Sequence, residues 1–161
     1  MIPDKEIESF WNFIRDSVDR LLACLEGLDE ADLNWRPLEN ANSLYVLANH
    51  TISNIERNIL GILCYQKISQ DREEAFEARG NSAEPLQQKW NEIQKRVSSC
   101  LAKLSAVDLN QEHDHPRRDK ITGRDALLVV ARHAAEHMGQ AFLTRDLLFT
   151  ARGRELPARR Y

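Results

Sequence analysis

This sequence predicts an all-α fold, a four-helix bundle with a long connection between its second and third helices. Three observations carry the prediction. Apolar residues recur at steps of three and four in four separate stretches, the spacing of a single buried helix face. Polar, charged connections separate those stretches. Only six glycines and five prolines punctuate 161 residues, too few for the tight turns of a many-stranded sheet. Apolar residues at 42% and charged residues at 29% suit a globular protein rich in surface helix. The length suits one domain, with residues 1–150 as the bundle and 151–161 as a basic tail.

The first helix is expected from Asp4 to Leu25. Ile7, Phe10, Trp11, Ile14, Val18, Leu21, Leu22 and Leu25 form its stripe. Pro3 and Asp4 suit its start, and Gly27 its stop. A connector follows from Leu28 to Asn42. Pro37 discourages helix at Arg36, so this part reads as an extended loop pinned by Trp35. The second helix opens at Asn42 or Ser43, both good N-caps, and runs on to Ile62. His50 falls at the border of its stripe, beside Val46, Asn54 and Arg57. Gln66 to Pro85 is a polar connection long enough to cross the molecule, with a short helix from Arg72 to Ala78. The third helix spans Glu84 to Leu104, with Trp90, Ile93 and Val97 in its stripe. Asp108 to Lys120 reads as a solvated, charged loop carrying His113, Asp114 and His115. The fourth helix starts at Thr122, whose hydroxyl caps it while Asp125 answers three residues later. His133, His137, Gln140 and Thr144 form a line along the flank of its apolar stripe. The tail carries Arg152, Arg154, Arg159 and Arg160 without periodicity and reads as solvated.

A net charge of −3 gives the chain no general attraction to nucleic acid, and the tail's arginines lack interleaved aromatics. No apolar run reaches membrane-spanning length. The stretch from Met1 to Arg15 is acidic where a signal peptide is basic. Cys24, Cys64 and Cys100 are odd in number, widely spaced and form no C-x-x-C pair, and so read as reduced, buried thiols. The expectation is a cytoplasmic protein with neither nucleic acid nor membrane as partner.

The chemistry-bearing feature is Arg132-His133-Ala134-Ala135-Glu136-His137-Met138-Gly139-Gln140. Two histidines four apart on a helix point the same way. With His50 from a facing helix they supply three imidazoles, and three protein ligands with an open fourth position characterise a catalytic metal site. The spacing alone fits equally a metal-free pair at the edge of a core. Three nitrogens suit nickel, zinc or iron, so the metal's identity stays open. With Glu136 the same stretch spells H-x-x-E-H, the pattern of inverted zinc peptidases. Those need a further downstream carboxylate ligand. Asp146 lies nine residues past His137 on the same helix, too far along it, and Glu155 lies in the tail. Glu136 is thus a candidate proton shuttle, with a solvated surface carboxylate as the alternative. Trp35 and Asn54 are candidate pocket residues, because the Trp35 loop leads into the helix bearing His50.

With Leu33-Asn34-Trp35-Arg36-Pro37, Asn42-Ser43-Leu44-x-x-Leu47-x-x-His50 and His133-x-x-x-His137-x-Gly139-Gln140 in view, the chain resembles the DinB-like four-helix-bundle superfamily. The resemblance covers most of the chain. It implies a divalent metal held by three histidines, which match His50, His133 and His137 by position. Some members look like transferases that join a low-molecular-weight thiol to an electrophile, or like a thiol-dependent isomerase; many have no established activity. Met138 stands where relatives often carry a basic residue. The resemblance further implies a homodimer. The leading expectation is therefore a metal-dependent thiol transferase acting on a small-molecule thiol and an electrophile. A non-enzymatic metal- or ligand-binding module and a metal-dependent hydrolase are the alternatives.

Overall fold

The structure, a computed structural model, describes residues 2–68, 74–117 and 119–156. Helix α1 runs Lys5–Ala23 because Asp4 caps it: the carboxylate accepts from the Glu6 and Ile7 amides at 2.9 and 3.1 Å. Glu6 and Glu8 in its first turn complement the helix dipole. Ile7, Trp11, Ile14, Val18, Leu21 and Leu22 are buried on one face, as their spacing predicts. The connector from Leu28 holds a short helix α2, Glu30–Leu33, capped by Asp29. Helix α3, Leu44–Ile55, starts from the Ser43 cap and continues as a π-helical segment, Glu56–Leu63. That widened turn was not anticipated from sequence, since its residues keep a helical apolar pattern; π turns often occur near functional sites.

The long connection carries α4, Glu74–Glu77, inside the expected Arg72–Ala78 stretch; residues 69–73 lie outside the described residues. It is pinned at Gly80. Asn34 Nδ2 donates to the Gly80 carbonyl at 2.8 Å, and the Gly80 amide donates back to Asn34 Oδ1 at 3.3 Å. A Cβ on Gly80 would run into the Tyr45 ring, so the close approach requires glycine. Helix α5, Glu84–Leu101, ends one turn before the expected Leu104.

The four long helices form the bundle, with α3, the π segment and α5 around a core shared with α1 and a last helix, α7, Gly123–Ala151. Helix α7 packs chiefly against α1 and α3. Trp11 and Trp90 meet at 5.9 Å between ring centroids. Their indole N–H groups donate to Ser98 Oγ at 3.0 Å and Asp19 Oδ1 at 2.6 Å, so neither large ring leaves a polar atom stranded. No helix among the described residues is long and apolar enough to cross a membrane.

Three expectations are corrected. The segment read as a solvated loop contains helix α6, Ala106–Asn110, and a two-stranded antiparallel hairpin, β1, Glu112–His115, with β2, Asp119–Thr122. Alternation along β1 turns His113 and His115 inward, and both are buried. Charge density had masked a period of two. Second, Cys64 and Cys100 are not reduced thiols: they form a disulfide with Cα atoms 6.3 Å apart, joining the end of the π segment to α5. Their separation of 36 residues gave no local signature. Only Cys24 is free, and burial pushes its thiol up to about 11. Third, part of the tail is tied down. Arg152 Nε and Arg154 Nη1 donate to Asp32 at 3.0 and 2.6 Å, and Asp32 is 1% exposed. Two guanidinium groups offset the cost of burying that carboxylate. Arg159 and Arg160 lie outside the described residues.

Candidate metal centre

Helix α7 begins where the sequence places it, with the Thr122 side chain accepting from the Asp125 amide at 3.1 Å. Ten residues further on, about 15 Å along the axis, comes His133, with His137 one turn beyond. Their rings meet edge to face, with centroids 4.3 Å apart. His50 reaches them from α3, with its ring 5.0 Å from His133 and 5.3 Å from His137. The Nε2 atom of His133 lies 3.1 Å from Nε2 of His50 and 3.1 Å from Nε2 of His137. One ligand atom from each of the three histidines falls within 4.8 Å of the others. The three residues named from sequence are therefore brought together in a cluster that could hold a metal ion.

The donor set fits such an ion. Metal–nitrogen bonds of 2.0–2.1 Å at tetrahedral angles put ligand nitrogens about 3.3 Å apart, close to the two short separations here. Burial holds the His133 imidazole down to about 3, and charge on His137, His50, Arg132 and Arg57 would push the same way. The neutral, ligand-competent form is thus the stable one at neutral pH. The His133 Nδ1 atom is buried without a partner among the described residues. Gln140 sets the third ring: its Oε1 accepts from His137 Nδ1 at 2.8 Å. A carbonyl oxygen only accepts, so the proton sits on Nδ1 and the Nε2 lone pair faces the cluster.

The other expected site residues are placed less centrally. Asn54 lies one turn after His50, buried, with its Oδ1 unpartnered among the described residues. Trp35 lines a groove of about 710 Å³ with Leu47, Gln140, Leu143 and Leu147. Gln140 is common to the groove wall and the cluster. Glu136 is elsewhere: it accepts from Arg132 Nη1 at 2.7 Å on the outer face of α7, both side chains about half exposed.

Sequence reasoning missed Phe76, whose ring lies 4.2 Å from that of His50. Helix α4 thereby lays an apolar cover beside the cluster, held by the Asn34–Gly80 clasp. An isolated aromatic in a polar connection was the signal available. Arg57 was noted only as a neighbour of His50; its charge is felt at His133.

The family model described as the DinB superfamily matches residues 14–141. No curated protein matches the chain. Among solved structures, the chain is similar to a conserved protein from Enterococcus faecalis at 17% identity and a TM-score of 0.75, covering 93% of this chain and 99% of that one. A DinB-like protein from Bacillus cereus aligns at 17% identity and 0.69, covering 95% and 97%. YfiT from Bacillus subtilis, described as a probable metal-dependent hydrolase with an unusual four-helix bundle topology, aligns at 14% and 0.71, covering 96% and 92%. At these identities the likeness is one of fold.

Proposed function

The chain belongs to the DinB superfamily, and from that premise we propose that it is a metal-dependent enzyme that joins a low-molecular-weight thiol to an electrophile. The observation that carries this reading is the convergence of three imidazole nitrogens without a carboxylate among them. His50, His133 and His137 would hold a divalent ion, with nickel, zinc and iron all suited to three nitrogens. Bound there, the ion supplies positive charge that favours thiolate over thiol at neutral pH. Gln140 keeps the His137 lone pair aimed at the cluster. Phe76 limits the approach of water beside His50. Trp35, Leu143 and Leu147 offer an apolar wall for the electrophile, and Asn54 a buried carbonyl oxygen able to accept from it.

Thiol transfer is favoured over hydrolysis because a thiol sheds its proton near pH 8.5 without a dedicated base, whereas water needs far more help. The one acidic residue in the histidine motif, Glu136, is engaged with Arg132 on the outside. Hydrolysis remains the second reading because YfiT is described as a probable metal-dependent hydrolase. Pairing of two copies is part of the proposal, supported by Leu128, Leu143 and Leu147 standing exposed along α7.

The test is turnover of a chromogenic electrophile with a small thiol, using protein loaded in turn with nickel, zinc and iron. Metal-dependent acceleration that disappears in His137→Ala supports the reading. Metal-dependent melting with no turnover of thiol, ester or peptide substrates reduces the protein to a binding module. Sedimentation velocity reads the dimer.

A further inference from the structure

A second pocket, of about 550 Å³, opens near the start of α7, about 15 Å along the helix from His133. Both cysteines of the Cys64–Cys100 disulfide line it and both are half-buried, so the bond is reachable from the pocket. Lys95 and Lys103 stand at its edge, exposed, and neither enters an ion pair among the described residues. The other charged groups facing it are engaged. Arg96 is held by Glu56 at 2.6 Å and Gln66 at 3.0 Å. The Asp108 carboxylate accepts from the Ser105 amide and hydroxyl, both at 2.7 Å.

One buried ring in the wall is partnered at one nitrogen only. His113 is 6% exposed, and its Nδ1 is paired with the Tyr65 hydroxyl at 2.9 Å. Its Nε2 atom has no hydrogen-bond partner among the described residues. Tyr65, the residue after Cys64, holds a left-handed backbone at φ 52°, so this pairing sits on a constrained turn.

We propose that this pocket is a thiol–disulfide exchange site for a low-molecular-weight thiol bearing carboxylates. The carboxylates meet Lys95 and Lys103. The incoming thiolate attacks Sγ of Cys100, which sits in the last turn of α5, three residues before Lys103. The S–S bond breaks as the mixed disulfide on Cys100 forms. Cys64 leaves with the electron pair and takes a proton from water. A second equivalent of the same thiol then displaces Cys100, releasing the symmetrical small disulfide and leaving both cysteines reduced. The small thiol is the reductant throughout. This site is independent of the histidine cluster, and the proposal does not rest on thiol transfer there.

The experiment treats the intact, unreduced chain with reduced glutathione, an anionic thiol, and with cysteamine, a cationic one, at equal thiolate concentration. Adducts are followed by intact mass and located by peptide mapping. The expected result is an adduct on Cys100 that forms about tenfold faster with glutathione, the size of a modest electrostatic steering effect. Raising the salt slows glutathione and speeds cysteamine. In a Lys95→Glu, Lys103→Glu variant the preference reverses; both side chains are exposed, so the fold is retained. Equal rates with both thiols, an adduct confined to Cys64, or a freshly prepared chain already carrying three free thiols would overturn the proposal.

Discussion

The molecule buries histidines in two places, and the contrast between them separates a ligand cluster from structural burial. In the bundle, His50, His133 and His137 turn their Nε2 atoms toward one another. In the hairpin, His113 and His115 also face inward, but each ring turns to a local partner. His113 pairs with Tyr65, and His115 Nδ1 accepts from the Arg117 amide at 3.1 Å. Burial alone does not separate them: His50, His113 and His115 are 5%, 6% and 8% exposed, while His133 and His137 are half-buried. What differs is the company. Only the bundle places a third imidazole from another helix opposite a helical pair, so that like groups converge with no hydroxyl or carboxylate to absorb them.

The largest expected effect breaks the contrast directly. His133→Ala or His137→Ala weakens divalent-metal binding by more than roughly 100-fold, beyond the usual loss for a residue that only orients a ligand. Elemental analysis of protein purified without a histidine tag reads this, and His113→Ala binds metal as the unaltered chain does. Gln140→Leu comes next. It removes the acceptor for His137 Nδ1 and lowers metal affinity by about 10- to 100-fold, measured by competition with a chelator. A Gln140 variant with undiminished affinity would separate the groove from the cluster.

Acid sharpens the same comparison in the metal-free chain. The His133 imidazole titrates near 3 when folded and near 6.5 when unfolded. Below pH 6.5 His133 takes up a proton in the unfolded chain that it refuses when folded. Stability is therefore full above pH 6.5 and declines progressively as the pH falls toward 3. Denaturant midpoints across that range check the sign; a midpoint that rises on acidification contradicts a neutral His133 in the folded chain. Tyr65→Phe is smaller. It strips a partner from buried His113 and costs about 1 kcal/mol, read by urea melts, while leaving metal content alone. Smallest of all, Glu136→Gln changes the proposed thiol-transfer turnover by less than about twofold, since an exposed ion pair contributes little. A loss of an order of magnitude would restore Glu136 to the chemistry and favour hydrolysis.

The four apolar stripes, the caps at Asp4, Ser43 and Thr122, and the His133/His137 pair were legible because each is a local pattern read within a few helical turns. The π segment was not, because an inserted residue widens the backbone without changing which residues are apolar. The hairpin was hidden by its charges. Phe76 gained meaning only when the Asn34–Gly80 clasp brought α4 over His50.

By itself, then, the sequence determined the helices, their buried faces and the three histidines available for a metal. Tertiary structure decided which groups meet: His50 with the α7 pair, Cys64 with Cys100, and Asp32 with Arg152 and Arg154. The physical reason is range. Helix periodicity and capping act over a few residues, whereas these meetings join segments dozens of residues apart, and only the packed bundle sets their distances and the protons they can share.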